Sequence, residues 1–508
     1  MKSVIIDLRA RAALRRILLG AVLLLAACGG NGNDTSTTTC MHGVIEGYYG
    51  PPYSFAARLD LLRFLPRAGL DTYIFAPKLD PYHRDRWREP YPAEWMAHFA
   101  DLARAGRESG VRVVYALSPG GGFDPDSDDP ARLIDKLGVL FDVGVRDFCL
   151  LFDDLATTSR AADPAVQVRL ISDTRAALRR RDPHTSLCFI SHYYAGTADD
   201  FRASHSSFDG MFPIPSAAAY EAYAELPRDV AILWTGPRVF ANPLRAADAE
   251  AYTHFVDRPV VAWDNFPVND VILSRELFLS PYRAREPGVV GALDGIVLNT
   301  MLQPEASKLA LWTAGRFFAD PDRYDPDAAF DEALVEIAGS AAAARAVALI
   351  AEQFRSHPLI GREAESPVLA TLAEDFFSDV SNDAALRAFL TRCAGAAEAL
   401  HRHVPNAALI EELNAAADKL ALYGEAGLIG LDLVAAFPAR NDPVYSTYVD
   451  LLSEARRIPL LVGGNSAIGP GLDVFLSGGT ATPADVFGDF FRRLTNEINR
   501  PRPGEDPH

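Results

Sequence analysis

Cysteine is scarce in this chain, five residues in 508, and none of the five has the spacing of a metal knuckle or a redox pair. Cys28, Cys40, Cys149, Cys188 and Cys393 therefore argue against a zinc-built fold, a disulfide staying open, and the core has to come from apolar packing. Cys149 and Cys188 lie inside apolar runs, where buried reduced thiols are expected. Positive charge is short as well. Lys and Arg number 49 against 67 Asp and Glu, a net charge of −18 with no basic stripe, which argues against nucleic acid as a partner. Long hydrophobic runs are missing too. The run 17–27 has eleven residues, where a membrane span needs about 20.

That short run has a different use. Arg9, Arg11, Arg15 and Arg16 precede it, which makes residues 1–27 a signal-peptide pattern expected to be removed. It ends Leu25-Ala26-Ala27-Cys28, which resembles the lipobox of bacterial lipoproteins, in which the cysteine is lipidated and becomes the mature N-terminus. An ordinary secretory signal with an incidental cysteine is the alternative. Residues 28–41, with the stretch GGNGNDTSTTT, then read as a flexible polar tether. With Gly29 rather than Asp after Cys28, the lipobox resemblance implies sorting to the outer membrane if the host has two membranes. The segment 1–27 carries five bases and one acid, so its loss leaves the chain at −22.

Eight short apolar runs follow, at 43–47, 72–76, 112–117, 147–152, 187–191, 230–234, 259–263 and 295–298, each trailed by a helical stretch or a loop. This is the size and rhythm of an α/β fold of the (β/α)8 barrel type over residues 42–324, with an open doubly wound sheet as the alternative. From about residue 325 to 500 the chain turns rich in alanine and leucine. Leu409, Leu413, Ala416 and Leu420 recur at helical spacing, so an all-α domain is expected there. Thr482-Pro483 reads as a helix start, 465–479 as a Gly-rich loop, and 501–508 as a disordered tail.

The stretch Phe148-Cys149-Leu150-Leu151-Phe152-Asp153-Asp154-Leu155 is the most informative. A strand buried on both faces ends in two adjacent carboxylates, the place where barrel enzymes keep catalytic groups. Adjacent like charges resist ionising together, so one acid tends to stay protonated while its neighbour is an anion. An Asp after a strand also commonly caps the next helix, and that reading competes. Polar and aromatic residues converge at the other strand ends: Glu46 to Gly50, Lys78 to Arg84, Ser191 to Tyr194, Trp263 to Asp270, and Asn299. Flat aromatic faces beside a carboxylate pair suit a sugar site.

From about Gly43 to Tyr324, through GVIEGYYG, APKLDPYHR, WREPY, LLFDDL, WTGP, WDNFPVND and QPEASK in order, the chain resembles glycoside hydrolase family 84. That family contains β-N-acetylglucosaminidases, protein O-GlcNAcases and enzymes described as hyaluronidases. The resemblance implies a barrel followed by a helical domain, no metal or organic cofactor, and N-acetylglucosamine-containing glycans or glycoconjugates as substrates. It implies that Asp153 polarises the substrate acetamido group and that Asp154 is general acid and then base. It also implies that Gly47 and Lys78 contact the sugar hydroxyls, that Asp270 and Asn299 grip the other edge of the ring, and that Tyr193, Trp263 and Asn265 form the acetamido pocket. Membrane attachment would come through the lipid on Cys28, and the oligomeric state is left open, a homodimer included.

Three departures and three rivals belong beside this. Ile190-Ser191-His192 stands where the family often has Pro-Thr, which leaves the choice between Tyr193 and Tyr194 open; Leu79 replaces a common acid; and no further α/β domain is expected ahead of the barrel. The rivals are an endo-acting hyaluronidase, a non-catalytic glycan-binding lipoprotein, and a metal-dependent hydrolase using His83 and His192.

Overall fold

All eight apolar runs become strands of one closed sheet. The structure, a computed structural model, describes residues 41–120, 122–156, 158–203, 217–355, 366–436, 443–458 and 486–500. The signal segment, Cys28, Cys40, most of the tether, the Gly-rich stretch 465–479, the helix start at Thr482 and the tail lie outside the described residues. The strands are β1 (Met41–Glu46), β2 (Thr72–Phe75), β3 (Arg112–Leu117), β4 (Asp147–Leu151), β5 (Ser186–Ile190), β6 (Ala231–Trp234), β7 (Val260–Asp264) and β8 (Gly295–Asn299). They pair in parallel in sequence order, and β8 returns to β1 with Leu298 opposite Val44. Closure rules out the open doubly wound alternative. Every residue of β1, β2, β6, β7 and β8 is buried. Strands covered on both faces read as unbroken apolar runs rather than as alternation, which is why they were visible.

The barrel interior is a packed core rather than a pore. Ile45, Ile74, Leu151, Ile190 and Leu233 fill it beside the smaller Ala116, Cys149, Cys188 and Ala231. Cys149 and Cys188 are register partners on β4 and β5, and both are buried free thiols, as is Cys393. Local signals set the helices. Ser54 Oγ accepts from Ala57 N at 3.1 Å to start the helix Phe55–Ala68, and Gly69 at φ 82° ends it. Asp163 caps the helix Pro164–Arg181, whose first residue is the proline.

The chain divides into two compact units. One holds the barrel: the described residues up to Phe266, with Ala284–Thr300 and Leu311–Asp325. The other holds Pro267–Arg283, Met301–Ala310 and the described residues from Pro326 onward, so it includes two segments that precede residue 325. Apart from those segments it is helical. Leu409, Leu413, Ala416 and Leu420 are all buried on one long helix, Ala407–Ala436. Gly424 lets that helix meet its neighbour Ala384–Ala394, since a Cβ there would stand 2.2 Å from Ala394 N.

Glu46, the acid of the first motif, has a structural partner set within the barrel unit. Arg58 holds it bidentately, Nε to Oε2 and Nη2 to Oε1 at 2.8 Å each, and Tyr73 Oη and Tyr53 N donate to the same carboxylate. Both charged side chains are essentially inaccessible to water. Removing one partner of such a pair leaves an uncompensated buried charge. Arg58→Met is therefore expected to lower stability by ~3–5 kcal/mol, read as a fall in the urea midpoint. A change within about 0.5 kcal/mol, the size of an ordinary surface substitution, would show that the pair does not brace the barrel.

Candidate active site

The acid pair sits at the C-terminal end of β4, on the rim where barrel enzymes build their sites. Neither acid caps a helix; Ser159 and Asp163 do that for the turns that follow. Asp153 is buried, and its two oxygens differ. Oδ2 meets Lys78 Nζ in a close ion pair, while Oδ1 is buried with no protein partner. Lys78 arrives from the segment after β2 and is itself buried, its ammonium 5.1 Å from the Trp263 ring centre and 5.8 Å from that of Tyr49.

Asp154 is built the opposite way. Its residue surface is open to solvent, and its backbone has φ 54°, in the left-handed region. Asp tolerates that region better than most residues, yet it costs about 1–3 kcal/mol. The second carboxylate lies in a bracket of phenols. Tyr49 Oη donates to Oδ2 at 2.9 Å and Tyr194 Oη donates to Oδ1 at 2.7 Å. Arg84 ties the bracket together, donating to Tyr49 Oη at 2.7 Å and to the Asp154 carbonyl at 3.0 Å. Crowding by protein pushes the Asp154 carboxyl up, but the Lys78 ammonium, the two phenols and Arg84 together outweigh it and hold it below the usual carboxylate range. The phenols respond in the other direction. Burial and the Asp154 charge raise Tyr49 and Tyr194 well above the ordinary tyrosine value, so both remain donors.

A second chain of hydrogen bonds joins β1, β7 and β8. Gly47 N donates to Asn299 Oδ1 at 3.2 Å, and Asn299 Nδ2 donates to Asn265 Oδ1 at 3.0 Å. Trp263 Nε1 reaches the same Asn265 oxygen at 3.0 Å, and Asn265 Nδ2 donates to the Val239 carbonyl at 2.7 Å. Gly47 has to be glycine, because a Cβ would stand 2.3 Å from Trp263 Cζ2. The indole, both amides and the Gly47 backbone thus hold one another in fixed orientation.

Of the residues singled out from sequence, Asp153, Asp154, Gly47, Lys78, Trp263, Asn265 and Asn299 all belong to the barrel unit and lie in these two networks. Between the tyrosines left open, Tyr194 is the one on the carboxylate. Tyr193 is half-buried, stands edge-on to His192 and accepts at its carbonyl from Tyr220 Oη. Asp270 belongs to the second unit, at the residue before the 3-10 turn Val271–Leu273. Its neighbour Asn269 is buried there, bonded to Glu276 O, Gln303 Oε1 and Leu302 N. His83 and His192 are both buried, each hydrogen-bonded to backbone, at Ala116 and Phe152 respectively, and burial lowers both imidazoles so that they are neutral. Among the described residues no three His, Cys, Asp or Glu side chains gather as a metal cluster. Tyr49 and Arg84 were not singled out from sequence, although both lie inside the motifs. An aromatic and a base at strand ends signal a rim, but nothing in their spacing says which acid they reach.

A family model described as beta-N-acetylglucosaminidase matches residues 42–352. The chain is 31% identical to protein O-GlcNAcase of Rattus norvegicus over 299 residues, 58% of this chain and 31% of that protein. It thus spans about a third of that relative's length. Among solved structures it superposes on an O-GlcNAc hydrolase of Thermobaculum terrenum with a TM-score of 0.71 at 21% identity, covering 91% of this chain and 96% of the other. It superposes on CpGH84B with a TM-score of 0.70 at 24% identity, covering 90% and 77%. These two likenesses speak to the fold. With the family match covering more than half its length and the barrel rim assembled as described, the chain belongs to the beta-N-acetylglucosaminidase family.

Proposed function

We propose that this protein is a retaining, O-GlcNAcase-like β-N-acetylglucosaminidase that hydrolyses terminal β-linked N-acetylglucosamine with the help of the substrate's own acetamido group. The observation that carries the reading is the asymmetry of the acid pair. Asp153 has one oxygen committed to Lys78 and one buried oxygen without a protein donor. Asp154, next in the chain, faces solvent between two phenols.

The unpartnered Asp153 oxygen suits the acetamido N–H. That bond orients the acetamido oxygen at the anomeric carbon, and intramolecular attack in near-attack geometry is worth ~7–11 kcal/mol. No protein nucleophile is needed, and the anionic Asp153 stabilises the positive charge of the oxazoline-forming step. Lys78, paired with the other oxygen, holds the Asp153 carboxylate in place. Trp263 supplies a flat wall, and Asn265 retains one amide N–H beyond that given to Val239. Asp154 delivers the proton to the leaving oxygen, a role worth about 10²–10⁴-fold. In the free enzyme this carboxyl is held ionised. A sugar laid across its open face removes the water that hydrates it, which shifts the carboxyl upward towards the proton-holding form.

Two experiments test the chemistry. An aryl β-N-acetylglucosaminide should release N-acetylglucosamine, while the matching β-glucoside without the acetamido group should not be cleaved; equal rates on the two would exclude substrate assistance. Product analysis on a chitooligosaccharide, a hyaluronan fragment and an O-GlcNAc peptide identifies the preferred aglycone. The second experiment separates the acids. Asp154→Asn should slow poor leaving groups such as a sugar or serine far more than an acidic phenol that departs unaided, whereas Asp153→Asn should slow both to similar extents. kcat/KM across a leaving-group series decides it, and a uniform loss in Asp154→Asn would refute its role as the acid.

Location is part of the same reading. A lipid on Cys28, followed by the polar stretch, would hold the enzyme on a bacterial membrane, the outer one where two exist. The expected outcome is that wild-type protein partitions with membranes and Cys28→Ala does not; identical fractionation of the two would remove the anchor.

A further inference from the structure

Lys78 and Arg84 reach the acid pair from residues 76–92, a connection without helix or strand of its own. Such long connections are uncommon in compact domains and have to be held by something. Part of the hold comes from within. Asp80 accepts from Tyr82 N at 2.9 Å and from Tyr91 Oη at 2.6 Å, and Ser118 N donates to the His83 carbonyl at 3.1 Å. His83 Nδ1 bonds the Ala116 carbonyl at 2.9 Å and Arg88 pairs with Asp129. A further hold comes from one side chain on the helix Asp129–Asp142. Lys136 Nζ donates to the carbonyls of Tyr82, Trp87 and Glu89 at 2.6, 2.8 and 2.7 Å. An ammonium has three N–H groups, and all three are spent on this one segment. The three carbonyls bracket His83 and Arg84 in the chain, and the Tyr91 ring lies 4.7 Å beneath the charge.

We propose that Lys136 is a positioning residue for the reaction: its ammonium clasps the 76–92 segment from behind and so fixes where Lys78 meets Asp153 and where Arg84 holds Tyr49 and Asp154. It touches neither acid and acts only through the segment. The choice of lysine has a consequence that arginine would not. Burial pushes the Lys136 ammonium down to about 8, against the pull of Asp80 and Glu89. Arg88, Arg132 and Asp135 line the same cavity, and Tyr82 and Tyr91 stack against the ammonium. A lysine lowered in this way is protonated below about 8 and neutral above it, where one donor and the charge are lost together. The clasp is at full strength on the acid side and weakens on the alkaline side.

This inference rests on the glycosidase reading, and the test separates the two. With an acidic-phenol aryl β-N-acetylglucosaminide, whose departure needs no proton from Asp154, wild-type kcat should fall as pH rises through about 8. Lys136→Gln should have kcat reduced on the order of 10²-fold with KM changed far less, and should show no decline through that range. Lys136→Arg, charged at every pH used, should also lack the decline, so the comparison stands even where the Gln variant folds poorly. A wild-type kcat flat through about pH 8, the same decline persisting in Lys136→Arg, or a wild-type kcat in Lys136→Gln would each overturn the proposal. No turnover by the wild type at neutral pH would refute the glycosidase reading instead, before any variant is compared.

Discussion

The ion pair between Lys78 and Asp153 is the contact around which the rim is organised. Two carboxylates on consecutive residues at the end of a buried strand repel each other and are costly to keep ionised away from water. One ammonium, itself buried, answers the first charge. The second is answered by geometry: the left-handed backbone at Asp154 swings that carboxylate out to the solvent side, where two phenols and an arginine collect around it. Strain at one residue thus gives neighbouring acids unlike surroundings, the condition for giving them unlike tasks.

That arrangement also explains why the segment after β2 has to be braced. Lys78 pairs with the first acid and Arg84 bonds the carbonyl of the second, from positions six residues apart on a stretch without helix or strand. Regular elements hold their own side chains in place; a connection of this kind depends on outside donors. Ser118 and Lys136 supply them, from a strand end and from a helix. A displacement of an ångström there would reach both acids at once.

Much of this was legible in the chain. The eight strands could be found because parallel strands buried on both faces leave uninterrupted apolar runs, and the acid pair because a carboxylate doublet cannot end such a run cheaply. The helical stripe of Leu409, Leu413, Ala416 and Leu420 was equally plain. What stayed hidden was pairing across the rim. Tyr193 and Tyr194 are indistinguishable as letters, and only the course of the chain after Ile190 brings the second one onto Asp154. Period-two alternation tells which way a residue points within a strand; beyond the strand end it no longer applies.

Glu46 and Asp153 make the remaining point. Both are buried acids in motifs at strand ends, and both are paired with a buried cation. Sequence treats them alike. Glu46, however, has both oxygens fully committed, to Arg58 twice, to Tyr73 and to a backbone N–H. Asp153 has one oxygen committed and one left over. Burying a carboxylate is tolerable when every lone pair is answered, so a complete partner set marks an acid whose work is done by the fold itself. An incomplete set costs stability that packing elsewhere must offset, and a fold tolerates that cost where another molecule's donor completes the set. By that physical criterion, rather than by motif, Glu46 is a brace of the barrel, while Asp153 keeps one oxygen that the proposed reaction would use.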